Sequence, residues 1–203
     1  MNVVEKNGMF VLATANPGKI KEMRDILSRF GIEAVTRDDL DIKIDVEETG
    51  KTFFANAKLK ADAICLASNL PAIADDSGLV VDALDGRPGV YSSSFGGENL
   101  SAQQRCMFLL NEMNNAEQRG AKFVCNIICV YPDGKFLTAT GECNGTISTE
   151  PKGSNGFGYD PVFVPDGYNK TMAELSSKEK NAISHRGKAL TEFKALLIQN
   201  EKG

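Results

Sequence analysis

Residues 9–14, MFVLAT, form an unbroken apolar run; ANPG follows, and then Ile20, Met23, Ile26, Leu27 and Phe30 recur at helical spacing up to Gly31. A short apolar run, turn residues and a 3.6-residue period read as strand, loop and amphipathic helix. This unit constrains the fold more than any other feature, because related signals recur down the chain. Thr52 caps a second helix carrying Phe53, Ala57, Lys60, Ala61 and Ile64, which Pro71 ends before the apolar residues 72–74. After Asp75-Asp76-Ser77-Gly78 a further extended segment is expected at 79–84, then a Gly/Pro-rich stretch over 85–97.

Ser101 and Gln104 have capping-box spacing and open a helix with Cys106, Met107, Leu109, Leu110 and Met113 on its buried face. Residues 123–131 and 135–143 flank Pro132-Asp133-Gly134, a hairpin signal. A glycine-rich loop (153–158), a short strand (161–164) and a helix over about 177–199 complete the chain. Strands alternating with helices, plus one hairpin, imply an α/β fold with a mixed β-sheet flanked by helices. The 203 residues suit one domain, with no repeat or linker to divide them.

Charge narrows the function classes. Asp and Glu number 27 against 23 Lys and Arg, a net charge of −4, and no basic stripe is visible, so nucleic acid is not an expected partner. The five cysteines include no C-x-x-C pair and read as core residues in a reducing compartment. Residues 1–8 carry Glu5 and Lys6 and lack the apolar run of a signal peptide, and no stretch approaches the ~20 apolar residues that span a bilayer. The expectation is a cytoplasmic protein with no membrane partner.

Four constellations carry possible chemistry. Thr14, Ala15, Asn16, Pro17, Gly18 and Lys19 lie between a strand and a helix, where backbone N–H groups and a lysine suit a phosphate. They do not form a Walker A loop, since its first glycine is missing and Ile20 replaces Ser or Thr. Glu47-Glu48 and Asp75-Asp76 offer hard oxygen ligands of the kind Mg²⁺ takes alongside substrate phosphates, the second pair at the end of a short strand. Gly156-Phe157-Gly158-Tyr159-Asp160 combines close backbone approach with two rings able to stack on a base; a tight turn with core rings is the alternative. Lys180, Asn181, Ser184, His185 and Arg186 are too polar a cluster for a buried helix face.

In this order the motifs ATANPGK (13–19), EETGKTFFANAKLKA (47–61), ADDSGL (74–79), GRPGVYS (86–92), GFGYDP (156–161) and SSKEKNAISHRGKAL (176–190) make the chain resemble the inosine and xanthosine triphosphate pyrophosphatase family, over about residues 10–196. The resemblance implies an elongated sheet with two lobes around a central cleft, a homodimer, and Mg²⁺-dependent hydrolysis of nonstandard purine nucleoside triphosphates to monophosphate and pyrophosphate. It further implies that the loop from Thr14 to Lys19, Lys60 and Ser77 hold the triphosphate, and that Glu48 and Asp76 meet Mg²⁺. Asp76 would accept the proton of the attacking water, with Asp75 in support. Phe157, Gly158, Tyr159, Asp160, Lys180, His185 and Arg186 would recognise the nucleoside, with His185 or Arg186 donating to the purine 6-oxygen. Many relatives carry a basic residue near the Ser92-Ser93-Ser94 run, and this chain has none. The competing readings are a pyrimidine-directed pyrophosphatase and a regulatory nucleotide-binding protein without turnover.

Overall fold

The computed structural model describes residues 9–200, so the reading of residues 1–8 lies outside the described residues. Six strands, β1 (Phe10–Leu12), β2 (Ala34–Thr36), β3 (Ala72–Val81), β4 (Gly120–Val130), β5 (Phe136–Ile147) and β6 (Phe163–Pro165), form one sheet in the order β2-β1-β3-β4-β5-β6. β1 runs parallel to both β2 and β3, whereas β5 and β6 are antiparallel, so the sheet is mixed as expected. Among the described residues five helices accompany it: α1 (Pro17–Arg29), α2 (Phe53–Ser68), α3 (Ala102–Glu112), α4 (Ser177–Ile183) and α5 (His185–Asn200). None of them is long and apolar enough to cross a membrane.

The helix starts follow their local chemistry. The Asn16 side chain accepts from the Gly18 and Lys19 N–H groups with Pro17 in the first turn, and Thr52 accepts from Ala55 N–H. Ser101 and Gln104 form the reciprocal capping box. The β4–β5 connection closes through Gly134 N–H donating to the Tyr131 carbonyl, with Gly134 at φ +84°.

Chain contacts divide the described residues into two compact units. The first runs to Asp76 and adds Cys125–Gly141 and the chain from Arg186 onward. Its strands are buried on both faces, with alternate residues going to opposite sides. Phe10, Leu12, Ile73, Cys125 and Ile127 pack with Met23 and Leu27 of α1 and Leu190 and Phe193 of α5. Val11, Ala13, Ala72, Ala74 and Ile128 pack instead with Ala57, Ala61 and Ile64 of α2. Each fully buried aliphatic or phenyl side chain contributes about 1.5–3 kcal/mol, so a strand covered twice is firmly fixed in register.

The second unit comprises Ser77–Val124 and Glu142–His185. Its core joins Leu79 and Val81 of β3, Cys106 and Leu109 of α3, Met113 at the C-terminal cap of that helix, Phe123, Cys143, Ile147 and Phe163. Met107, expected on the buried face of α3, is 44% exposed. The apolar stripe follows 106, 109, 110 and 113, and residue 107 falls one helical step outside it. All five cysteines are buried and none is in a disulfide.

Two expectations about element boundaries need correction. Asp75-Asp76-Ser77-Gly78 does not separate two strands but lies within the ten-residue β3. The terminal helix is also two helices: Ser184 is extended (φ −66°, ψ 155°) and the chain restarts as α5 at His185. Serine before a helix favours that N-cap conformation over continued winding.

Candidate active site

Strand alternation decides what each of the adjacent aspartates meets. Asp75 shares the parity of Ile73 and points to the side of α1 and α5; Asp76 shares that of Ala74 and points to α2. Two carboxylates inside a buried strand are tolerable only if each is compensated.

Asp75 is completely buried and takes its compensation from three cations. The Nε and Nη2 of Arg186 donate to its Oδ2 at 3.1 and 2.8 Å, and Lys19 Nζ lies 3.3 Å from the same oxygen. Burial would raise its pKa, but Lys19, Arg186 and Lys60 outweigh that and hold the carboxyl well below the usual range. Arg186 is itself buried, and its Nη1 donates to Glu22 of α1. The Cys125 thiol, on the same side, is pushed up to about 12 by burial and by Asp75.

Asp76 faces a different set. Lys60 Nζ is 3.6 Å from its Oδ1 and 3.0 Å from Glu48 Oε2, and Asn56 Nδ2 donates to its Oδ2 at 3.2 Å. Burial raises the Asp76 pKa; Lys60 and Lys19 lower it, Glu48 raises it, and the result is a carboxyl above its ordinary value. For Lys60, burial lowers the pKa, but Asp76, Asp75 and Glu48 outweigh it and the net shift is upward. Glu48 and Asp76 thus converge on one ammonium and are close enough to share a cation. Among the described residues no cluster of three or more His, Cys, Asp or Glu side chains is placed to hold a metal. Two carboxylates nonetheless fit Mg²⁺, which commonly completes its octahedron with substrate phosphates and water.

The second unit holds the predicted nucleoside residues other than Arg186, and Lys180, Asn181, Ser184 and His185 are buried there, contrary to the expectation that so polar a cluster stays off a buried face. Lys180 of α4 pairs with Asp160, both almost fully buried, and Asp160 also accepts from Phe157 N–H at 2.8 Å. Lys180 Nζ sits 4.8 Å from the Phe157 ring centre. Gly156, at φ +74°, is needed here, since an added Cβ would stand 2.0 Å from Asp160 Oδ2. Tyr159 OH donates to the Ser92 carbonyl, and the His185 ring stacks on Phe123 with centroids 4.7 Å apart. Ser77 follows Asp76 directly on β3, and Gly158 accepts from the Cys106 thiol.

Several placements differ in character from the sequence reading. The N–H groups of Gly18 and Lys19, expected to face phosphate, donate to Asn16 Oδ1, and Asn16 N–H donates to Thr14 Oγ1. That leaves the Lys19 ammonium as the loop's main electrostatic feature, on a backbone formed by Ala15 and Pro17. Arg186, expected at the base, gives three donors to Asp75 and Glu22. In the serine run, Ser92 Oγ accepts from Leu79 N–H and donates to the Gly89 carbonyl, a purely structural employment. Glu22 and Asn56 were missed by motif reading. Both are buried polar residues within otherwise apolar helix faces, Glu22 beside Met23 and Asn56 beside Ala57, and that interruption was the available signal.

Comparison with known proteins completes the picture. Residues 10–196 match the model of the Ham1 family. The chain is 49% identical to a dITP/XTP pyrophosphatase of Aquifex aeolicus, over 95% of this chain and 98% of the relative. A protein of the same name from Bacillus cereus is 47% identical, covering 92% and 93%. Among solved structures, the Staphylococcus aureus Ham1 protein superposes with a TM-score of 0.85 at 42% identity, covering 95% of this chain and 99% of that one. A nucleoside-triphosphatase/dITP/XTP pyrophosphatase of Mycobacterium abscessus gives 0.73 at 40% identity, covering 91% and 98%.

Proposed function

Because the chain belongs to the Ham1 family, we propose that it hydrolyses nonstandard purine nucleoside triphosphates (ITP, dITP and XTP) to the monophosphate and pyrophosphate, clearing them from the nucleotide pool. Its relatives bear the name dITP/XTP pyrophosphatase over nearly their whole length. The observation that carries the reading is the convergence of Glu48 and Asp76 on Lys60, next to an Asp75 kept ionised by Lys19 and Arg186.

Phosphoryl transfer requires mainly positioning and neutralisation of charge. Glu48 and Asp76 would hold Mg²⁺, which when bound supplies charge neutralisation at the phosphate oxygens. Lys19 and Lys60 bind the polyphosphate, with the Ser77 hydroxyl as a further donor. Asp76, whose raised pKa makes it a better proton acceptor than an ordinary aspartate, orients the attacking water and takes its proton. Asp75 keeps Lys19 in place. No covalent intermediate is needed.

The residues of the second unit serve the nucleoside. Phe157 offers a ring face, the Gly158–Tyr159 backbone permits close approach, and the Lys180–Asp160 pair supplies polar contacts. With three Arg186 donors committed to carboxylates, His185 is the better donor to the 6-oxygen of hypoxanthine or xanthine. Adenine presents an amino group there, and a site built on such a contact can discriminate by about 10⁴ or more. The protein works as a cytoplasmic homodimer without nucleic-acid or membrane partners, a reading supported by its acidic balance and by the family; sedimentation velocity checks the dimer. The deciding experiment offers inosine triphosphate with and without Mg²⁺ and scores the product. Pyrophosphate released only with Mg²⁺ is expected; orthophosphate, or metal-independent turnover, overturns the assignment.

A further inference from the structure

The loop bearing Glu48 is largely exposed, whereas its partner Asp76 lies buried on β3. Something must hold the two carboxylates in a fixed relation. Lys60 forms ion pairs with both, but a lysine on a flexible four-carbon stem is a poor ruler.

Asn56 is placed to do better. It is 3% exposed, sits one turn before Lys60 on α2, and uses both ends of its amide. Its Oδ1 accepts from Gly50 N–H at 2.7 Å, two residues beyond Glu48, while its Nδ2 donates to Asp76 Oδ2 at 3.2 Å. A planar amide carrying an acceptor and a donor a fixed distance apart thus spans from the acidic loop to the buried strand. The loop is shaped to meet it. A Cβ added at Gly50 would lie 2.5 Å from Asn56 Oδ1, 2.7 Å from the Ala55 Cβ and 2.9 Å from Asn56 N, so only glycine lets the backbone approach so closely.

We propose that Asn56, seated against Gly50, is the positioning residue that sets the spacing of Glu48 and Asp76 and so preorganises the divalent-cation site. The inference rests on the reading of Glu48 and Asp76 as cation ligands. Its logic is that of outer-shell groups in metal sites generally, whose loss costs about 10–100-fold in metal affinity. Both neighbours of the amide are needed, so damage from either side gives the same result.

The test compares wild type, Asn56→Ala and Gly50→Ala. Mn²⁺ binding to nucleotide-free protein is measured by electron paramagnetic resonance, exchange of the residue-50 amide by NMR, and turnover of inosine triphosphate against Mg²⁺ concentration. Thermal denaturation establishes that each variant is folded. Expected are at least about 10-fold weaker Mn²⁺ binding in both variants, faster exchange of the residue-50 amide, and turnover that recovers as Mg²⁺ is raised. Folded variants that bind Mn²⁺ as tightly as wild type overturn the positioning role while leaving the ligand assignment intact. A wild type that binds no Mn²⁺ and hydrolyses without a divalent ion overturns both. If Gly50→Ala alone is too unstable to assay, Asn56→Ala with unchanged affinity still refutes the proposal.

Discussion

Both units bury charge, but they balance it differently. In the first, the carboxylates Asp75, Asp76, Glu48 and Glu22 face the cations Lys19, Lys60 and Arg186, four against three. In the second, Asp160 and Lys180 neutralise each other beside the Phe157 ring, Phe123 stacks on His185, and the buried Arg105 is met by backbone carbonyls. A set with a surplus negative charge has room for a further cation, and a neutral ion pair beside a ring suits a flat, uncharged heterocycle. Under the proposed function, the polyphosphate and its metal would go to the first unit and the base to the second.

The contrast is broken most directly at Asp76. Asp76→Asn should lower kcat by about 10²–10⁴-fold, the range for loss of a general base, with the fold retained; a near wild-type rate in pyrophosphate release removes Asp76 from its role. Arg186→Met comes next, because it strands Asp75 and Glu22. A loss of about 3–5 kcal/mol in urea denaturation is expected, and if Arg186 instead reads the base, the variant keeps its stability and narrows the preference for inosine over adenosine triphosphate.

Lys180→Met sharpens the other side. It should raise KM for inosine triphosphate about 10-fold, in line with losing about 1.4 kcal/mol of binding, while leaving the Mg²⁺ dependence as in wild type; a changed Mg²⁺ requirement would erase the division of labour.

The smallest effects are in pH. Asp75 has a depressed folded pKa, so its stabilisation is fully present above the ordinary carboxylate value of about 4 and is lost as the pH falls below it. Asp76 has a raised folded pKa, which opposes folding at neutral pH and is relieved on acidification. Denaturant titrations should therefore show wild type weakening below about pH 4, and Asp76→Asn slightly more stable than wild type at pH 7. A less stable Asp76→Asn contradicts the raised pKa.

What could be read in advance was local. The strand–loop–helix at the start, the caps at Thr52 and Ser101 and the β4–β5 turn each depend on a few neighbouring residues, and each formed as read. The path through Asp75 to Gly78 was not legible, because those residues favour a turn until Lys19, Lys60, Asn56 and Arg186 arrive from distant segments to make a strand tolerable. Motif order supplied the set of charged residues but not their partners. Nothing near Arg186 in the chain announces Glu22, 164 residues earlier, and nothing near Asp76 announces the amide of Asn56.

The placement of the paired aspartates on a strand has an evolutionary corollary. Substitutions in the helices bear on the two carboxylates unequally, since each looks to its own side of the sheet while Lys19 and Lys60 act on both. A single-residue insertion or deletion between Ala72 and Asp75 would instead turn every downstream side chain over, exchanging the surroundings of the two aspartates in one step. Length in that short segment should therefore be far less free to drift than its composition.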